Sequence, residues 1–331
     1  MKPLVITMGE PAGIGGELTV KAWAEREKYG LKPFFAVDDP ERLRALASDM
    51  PVEEIKVPAQ ALDVFDKALP VLPIELSAPV VTGILNPQNG KAVLESIELA
   101  VGFCLSGEAA GVVTNPIHKA ALYDIGFSHP GHTEYVAELC GQKNKKYETP
   151  VMMLAAKDLR VVPLTVHIPL SQVPSMVTKD FIFEKVRIVN RSLQEDYKID
   201  TPRIFIAGLN PHAGESGKIG LEDQEVIAPA IEKLQAEGIK VFGPYSADTL
   251  FHEEARAQYD IAIGMYHDQA LIPLKTLDFH GGVNVTLGLS IVRTSPDHGT
   301  ALDIAGKNMA RPDSFINAIK AAAEIAQNRS L

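Results

Sequence analysis

Arg160–His167 (RVVPLTVH), Arg203–His212 (RIFIAGLNPH) and Asp260–His267 (DIAIGMYH) share one pattern: a short apolar run and, just past it, a histidine. The runs Arg160–Val166, Arg203–Leu209 and Asp260–Tyr266 read as strands covered on both faces. The intervals between the histidines are each long enough for a crossover helix and a returning strand, which predicts parallel pairing. In an open α/β sheet, ligands collect outside the carboxyl ends of the strands. Three imidazoles delivered to that edge could meet at one divalent ion and leave a coordination position for substrate. Taken singly, each could equally be a hydrogen-bonded loop residue. Their matching positions favour ligation, as do the Pro- and Gly-shaped loops His167-Ile-Pro169, Asn210-Pro-His-Ala-Gly214 and His267-Asp-Gln269.

Outward from these runs, strand and helix patterns alternate along the whole chain. Leu4–Met8, Phe34–Val37 and Gly111–Thr114 read as further strands. Helical spacing runs over Glu17–Lys28, Asn89–Ser106, Phe181–Glu195, Glu222–Glu237 (closed by Gly238) and Ser314–Asn328. Another helix runs from Thr133 to Gly141, which reads as a terminating glycine. Residues 51–80 are Pro-rich and read as short strands and loops at a sheet edge. The prediction is an α/β protein with a mainly parallel sheet wrapped by helices. No Pro/Ser/Gly linker marks a border, so the expected two domains are interwoven.

Composition bounds the function. The 331 residues are 46% hydrophobic and carry a formal net charge of −10. That charge excludes a generalised nucleic-acid surface but admits a small anionic substrate held by a few placed cations. Cys104 and Cys140 lack metal-type spacing and read as buried free thiols of a reducing cytosol. No signal-peptide core or membrane-length apolar run occurs, so a cytoplasmic protein without a membrane partner is expected.

The loop Gly9-Glu-Pro-Ala-Gly-Ile-Gly-Gly16 lies between a strand and a helix, where phosphate loops occur. Leu18 stands where a dinucleotide fingerprint needs its third glycine, no Gly-Lys-Ser/Thr follows, and Glu10 and Glu17 would repel phosphate. A tight turn that lets backbone approach backbone is the better reading. Elsewhere His132-Thr133 opens a helix, Lys275 ends the run Gln269–Lys275, Asn284 sits in Gly281–Gly288, and Arg293 begins the polar segment Arg293–Thr300. Together they could form a phosphate clamp, with Arg offering parallel N–H donors. Asp248 and Asp268 could orient imidazoles or touch an ion directly. Asp297–Gly306 (DHGTALDIAG) precedes a helix-like stretch that would suit a nucleotide across a helix start.

These segments together resemble the 4-hydroxythreonine-4-phosphate dehydrogenase family of vitamin B6 biosynthesis. The resemblance rests on Gly9–Gly15, Pro130–Glu134, Gly208–Gly214, Ala247–Phe251, Met265–Gln269, Gly282–Asn284, Leu287–Leu289, Arg293–Ser295 and Asp297–Ala301, and spans nearly the whole chain. It implies an isocitrate/isopropylmalate dehydrogenase-like fold of two α/β/α domains with a cleft between them. The expected domains are residues 1–125 plus 275–331 on the cofactor side, and 126–274 on the metal and dimer side. By resemblance His167, His212 and His267 bind one divalent ion (Zn, Co or Mg), with ligands from both subunits of a homodimer. His132, Thr133, Lys275, Asn284 and Arg293 match substrate contacts, and Asp248 and Asp268 match carboxylates that maintain the site. Gly288, Leu289, Asp297, His298 and Gly299 fall in the cofactor loops for NAD or NADP. Two departures stand out: Ser290 replaces the usual proline, and Gly141–Thr149 lengthens what reads as a surface loop.

The expected reaction is metal-assisted oxidation of 4-phosphohydroxy-L-threonine, with Lys275 or a water relayed through Asp268 as the base. D-Threonate or D-erythronate 4-phosphate are the alternative substrates, since paralogues share most of these motifs. A metal-dependent aldolase or hydrolase and a phosphometabolite-binding protein without turnover are the rivals.

Overall fold

The computed structural model describes residues 2–330 except 48 and 130. The chain forms two compact units, Met1–Pro150 with Val283–Leu331, and Val151–Gly282. Residues 126–150 therefore group with the first unit and 275–282 with the second, unlike the expected borders at 125/126 and 274/275.

The first unit contains β1 (Leu4–Thr7), β2 (Phe34–Asp38), β3 (Val52–Glu54), β4 (Leu69–Pro73) and β5 (Val112–Val113). The second contains β6 (Val151–Ala156), β7 (Leu159–Pro163), β8 (Ile204–Ala207), β9 (Val241–Tyr245) and β10 (Ile261–Gly264). The chain then returns to the first unit for β11 (Val283–Leu287) and β12 (Arg293–Pro296).

Strand order in the first unit is β3-β4-β2-β1-β5-β12-β11, parallel except for the β11/β12 pair. Strands β1 and β2 are buried at every residue, which is why they read as unbroken apolar runs. Residues 51–80 do supply the edge strands β3 and β4, with short helical turns between them. In the second unit the order is β6-β7-β10-β8-β9, with only β6/β7 antiparallel. Both antiparallel pairs follow from short connections: Lys157 and Asp158, or residues 288–292, cannot hold a crossover helix. Lys157 takes a left-handed φ of 50° in the first of these turns.

Two local expectations are corrected. Gly141 does not end its helix, which runs His132–Asn144 and stops at left-handed Lys145. A Cβ on Gly141 would lie 3.0 Å from the Lys146 carbonyl oxygen, so this glycine admits the returning chain rather than stopping the helix. Gly141–Thr149 is thus partly the last helical turn. Nor does a helix start after Asp297–Gly306: that segment is a series of turns, and the next helix is Asp313–Arg329.

Cys140 is fully buried and Cys104 partly so, both on helices. Burial, with the nearby Glu148 charge, pushes the Cys140 thiol up to about 12 against a lowering hydrogen bond with Ser290. Native protein at pH 8 should leave Cys140 unmodified by a disulfide reagent while unfolded protein reacts. Rapid native labelling, located by mass spectrometry, would contradict this. No helix among the described residues is long and apolar enough to cross a membrane.

Candidate active site

In the second unit, His167 follows β7, His212 follows β8, and His267 opens the helix His267–Leu277 just after β10. The rings of His167 and His267 stand side by side, centroids 5.7 Å apart. Two imidazoles sharing one ion at about 2.1 Å have centroids roughly 5 Å apart, so this pair fits a common cation. The Asp268 carboxylate lies 2.8 Å from His267 Nδ1, which orients the ring and leaves Nε2 to face a metal. His212 is not brought into that pair: among the described residues no three His, Cys, Asp or Glu side chains gather as a metal-holding group. Asp248 is its carboxylate neighbour. A hydrogen bond from Ser246, with a smaller contribution from His212, holds Asp248 below the usual range. If Asp268 sets the His267 ring, Asp268→Asn should weaken divalent-ion affinity about 10- to 100-fold without lowering the melting temperature. Unchanged ion affinity by calorimetry would remove that role.

The His212 turn is unusual. His212, Ala213, Glu215 and Ser216 all take φ between 43° and 56°, with Gly214 at 77°. Left-handed backbone costs about 1–2 kcal/mol per non-glycine residue, so surrounding bonds must hold it. Asp223 does much of this, accepting from the Leu209 N–H at 2.8 Å and the Asn210 N–H at 3.1 Å. Gln269 ties this turn to the His267 turn, accepting from the Met265 N–H and donating to the Gly208 carbonyl at 2.8 Å. Neither Asp223 nor Gln269 was expected as a support. Gly208 was the available signal, since a Cβ there would meet Asp223 at 2.7 Å.

Lys275 lies on the His267–Leu277 helix, seven residues from Asp268 and so on the same face two turns away, roughly 10 Å along the axis. Its ammonium lies 5.5 Å from the centroid of the Phe279 ring.

The first unit assembles the other expected group. Arg293 begins β12 and is buried. Its guanidinium donates to Thr114 Oγ1 at 2.7 and 3.1 Å, to Thr286 Oγ1 at 2.9 Å and to Thr133 Oγ1 at 3.3 Å. These partners are neutral hydroxyls. Burial lowers the Arg293 pKa to about 10, opposed only by the Glu134 charge. His132 Nε2 and Asn284 Oδ1 are buried without hydrogen-bond partners. Burial, then the Arg293 charge, holds His132 well below its usual pKa and so neutral. A buried cation and an N–H-rich helix start at His132–Thr133 are together the chemistry that suits an anion. Thr114 and Thr286 complete it and were missed, because hydroxyls inside strands carry no sequence signal. Pro130, which opens the Pro130–Glu134 motif, lies outside the described residues.

The residues expected along a cofactor are also in the first unit. Gly288 takes φ 83°, Leu289 is buried, and His298 Nδ1 lies 3.0 Å from the Gly299 carbonyl. Ser290 uses the N–H that proline lacks, donating to Glu148 at 2.7 Å, while its hydroxyl accepts from Asn144. These bonds restrain the loop. The glycine loop is a close-approach turn: a Cβ on Gly9 or Gly13 would meet Asn115 Cβ at 2.6 Å or the Thr300 carbonyl at 2.8 Å.

An α/β protein with a paired-imidazole edge and a buried arginine among hydroxyls belongs to a definable class. The profile of the Pyridoxal phosphate biosynthetic protein PdxA family matches residues 31–322, and the chain belongs to that family. It is 50% identical over 332 residues to a 4-hydroxythreonine-4-phosphate dehydrogenase of Methylorubrum populi, covering 98% of this chain and 95% of that one. A Caulobacter vibrioides protein of the same name is 49% identical, covering 100% and 99%. The crystal structure of a 4-hydroxythreonine-4-phosphate dehydrogenase from Klebsiella pneumoniae matches with a TM-score of 0.86 at 36% identity, covering 99% of this chain and 100% of that one.

Proposed function

We propose that this chain is a metal-dependent dehydrogenase of pyridoxal 5'-phosphate biosynthesis. It oxidises 4-phosphohydroxy-L-threonine to 2-amino-3-oxo-4-phosphooxybutanoate, which loses CO2 to give 3-amino-2-oxopropyl phosphate. The carrying observation is Arg293, a buried cation whose bonded partners are hydroxyls, with Thr133 at a helix start among them. That arrangement supports a phosphate ester over an uncharged alcohol. The names of the relatives support the same substrate.

When bound, a divalent ion (Zn, Co or Mg) would acidify the alcohol and NAD or NADP would accept its hydride. His167 and His267 fit two of the ligands, with His212 completing the set as the ion binds, and a homodimer contributing residues from both subunits. Asp268 and Asp248 keep the imidazoles oriented. Arg293, Thr133, His132 and Asn284 fix the phosphate. Lys275, or a water relayed through Asp268, removes the hydroxyl proton. Gly288, Leu289, Asp297, His298 and Gly299 lie along the cofactor. The setting is cytoplasmic.

The test is the appearance of reduced nicotinamide with 4-phosphohydroxy-L-threonine and with D-threonate 4-phosphate, before and after chelation. The expected result is reduction with the first, lost on chelation and restored by a divalent ion. Faster turnover of threonate phosphate would assign the chain to the sugar-acid alternative.

A further inference from the structure

The start of the helix His132–Asn144 gathers charge of the wrong sign. A helix N-terminus carries about half a positive charge, so anions are favourable there and cations are not. Two cations nevertheless stand at this one. Arg293 reaches the first turn through Thr133 Oγ1 at 3.3 Å. Lys119 reaches it from the segment after β5, with Nζ 3.5 Å and Cε 3.6 Å from the point that a Cβ on Gly131 would occupy. Gly131 is the N-cap, and no side chain caps the helix there.

The carboxylate at hand is Glu134, whose Oε2 lies 2.7 Å from the same Gly131 point. It is exposed to solvent, and neither it nor any other carboxylate among the described residues forms an ion pair with Lys119. Two cations and a helix start thus face one solvated carboxylate, which leaves a positive excess on a single turn. Gly131 and Thr133 are two residues apart, at most about 7 Å of chain. The cations bracket the turn closely enough for one tetrahedral anion to meet both. A carboxylate has two oxygens in one plane, which the Arg293 fork alone would satisfy. A phosphate monoester has three terminal oxygens and about two negative charges at neutral pH, so it can accept from both sides.

We propose that Lys119 is a further substrate-binding residue, the second cation of the phosphate site. It meets the ester oxygens at the Gly131 end of the turn, while Arg293 meets them at the Thr133 end. The assignment rests on the proposed reading of the Arg293 cluster as the phosphate anchor. The segment after β5 then serves the anchor twice, through the Thr114 hydroxyl on Arg293 and the Lys119 ammonium at Gly131. The two cations differ in kind. Arg293 is buried and held by hydroxyls, so it fixes the orientation of the ester. Lys119 is an exposed point charge on a flexible stem, which adds attraction with little demand on geometry.

The test measures binding of inorganic phosphate and of 4-phosphohydroxy-L-threonine by calorimetry, with KM, kcat and a thermal melt, for the wild-type enzyme, Lys119→Met and Lys119→Arg. Lys119→Met should bind both ligands about tenfold more weakly, the effect of one charge-assisted hydrogen bond at an exposed position. The loss should fall on KM rather than kcat, since the phosphate is held alike in the ground and transition states. The melting temperature should stay equal or rise, because the change takes a cation away from a helix N-terminus. Lys119→Arg keeps the charge and should recover most of the affinity. Wild-type phosphate affinity in Lys119→Met overturns the assignment. Weak binding with a lowered melting temperature in both variants marks a structural lysine and overturns it as well. Weakened phosphate binding in Lys119→Met, from an enzyme whose wild type reduces no nicotinamide, upholds Lys119 and overturns the dehydrogenase reading instead.

Discussion

Arg293→Met should lower affinity for the phosphorylated substrate by about two orders of magnitude while leaving the melting temperature equal or higher. The two effects share one cause. Burial depresses the Arg293 pKa to about 10, a cost to the folded state of roughly 3 kcal/mol. The sign follows from the direction. A base with a depressed folded pKa carries its full cost below about pH 10 and is relieved only as pH rises beyond that. Methionine fills similar volume without the charge, and replacing buried charges by apolar groups is often neutral or stabilising. The three threonine hydroxyls lose a donor, but each can turn its own proton to a neighbour. What methionine cannot do is meet a phosphate, whose charge-assisted bonds are each worth about 1.5–3 kcal/mol. Calorimetry with substrate and a thermal melt measure both halves. A destabilised variant that keeps wild-type affinity would show that Arg293 is structural.

His212→Gly should abolish turnover, by on the order of a thousandfold, in a protein that melts no lower than wild type. Position 212 has φ 52°, where glycine relieves about 1–2 kcal/mol of backbone strain against a smaller entropic loss. The Asp223 and Gln269 bonds that shape the turn do not involve the imidazole. Loss of the ring therefore removes an ion ligand and little else. His212→Ala serves as the control, equally inactive but without the gain from glycine. If His212→Gly keeps activity and ion content, the strained turn serves something other than metal binding.

Much of this was legible in the sequence, for definite reasons. Strands β1, β2, β7, β8 and β10 are covered on both faces, so their apolar runs stood out, and each histidine falls just past its run. Strands β11 and β12 do not stand out in the sequence, because Asn284 and Thr286 interrupt the first and Arg293, Thr294 and Ser295 fill most of the second. Thr286, Arg293 and Thr294 are buried and bonded to one another or to backbone, which a pattern of hydropathy cannot reveal. The same blindness hid Thr114 and Thr286. Gly141 misled because a glycine that admits a passing backbone looks, in sequence, like one that ends a helix. Asp268 reads as a loop residue and shares a helical face with Lys275 instead, since Pro273 inside that helix disguises it.

The account stands or falls on the shared cation. The most direct measurement is anomalous diffraction from crystals of the full enzyme loaded with cobalt or zinc. One ion per chain with imidazole nitrogens of His167, His212 and His267 at about 2.1 Å is the predicted result. An ion bound elsewhere, or one held without His212, would contradict it.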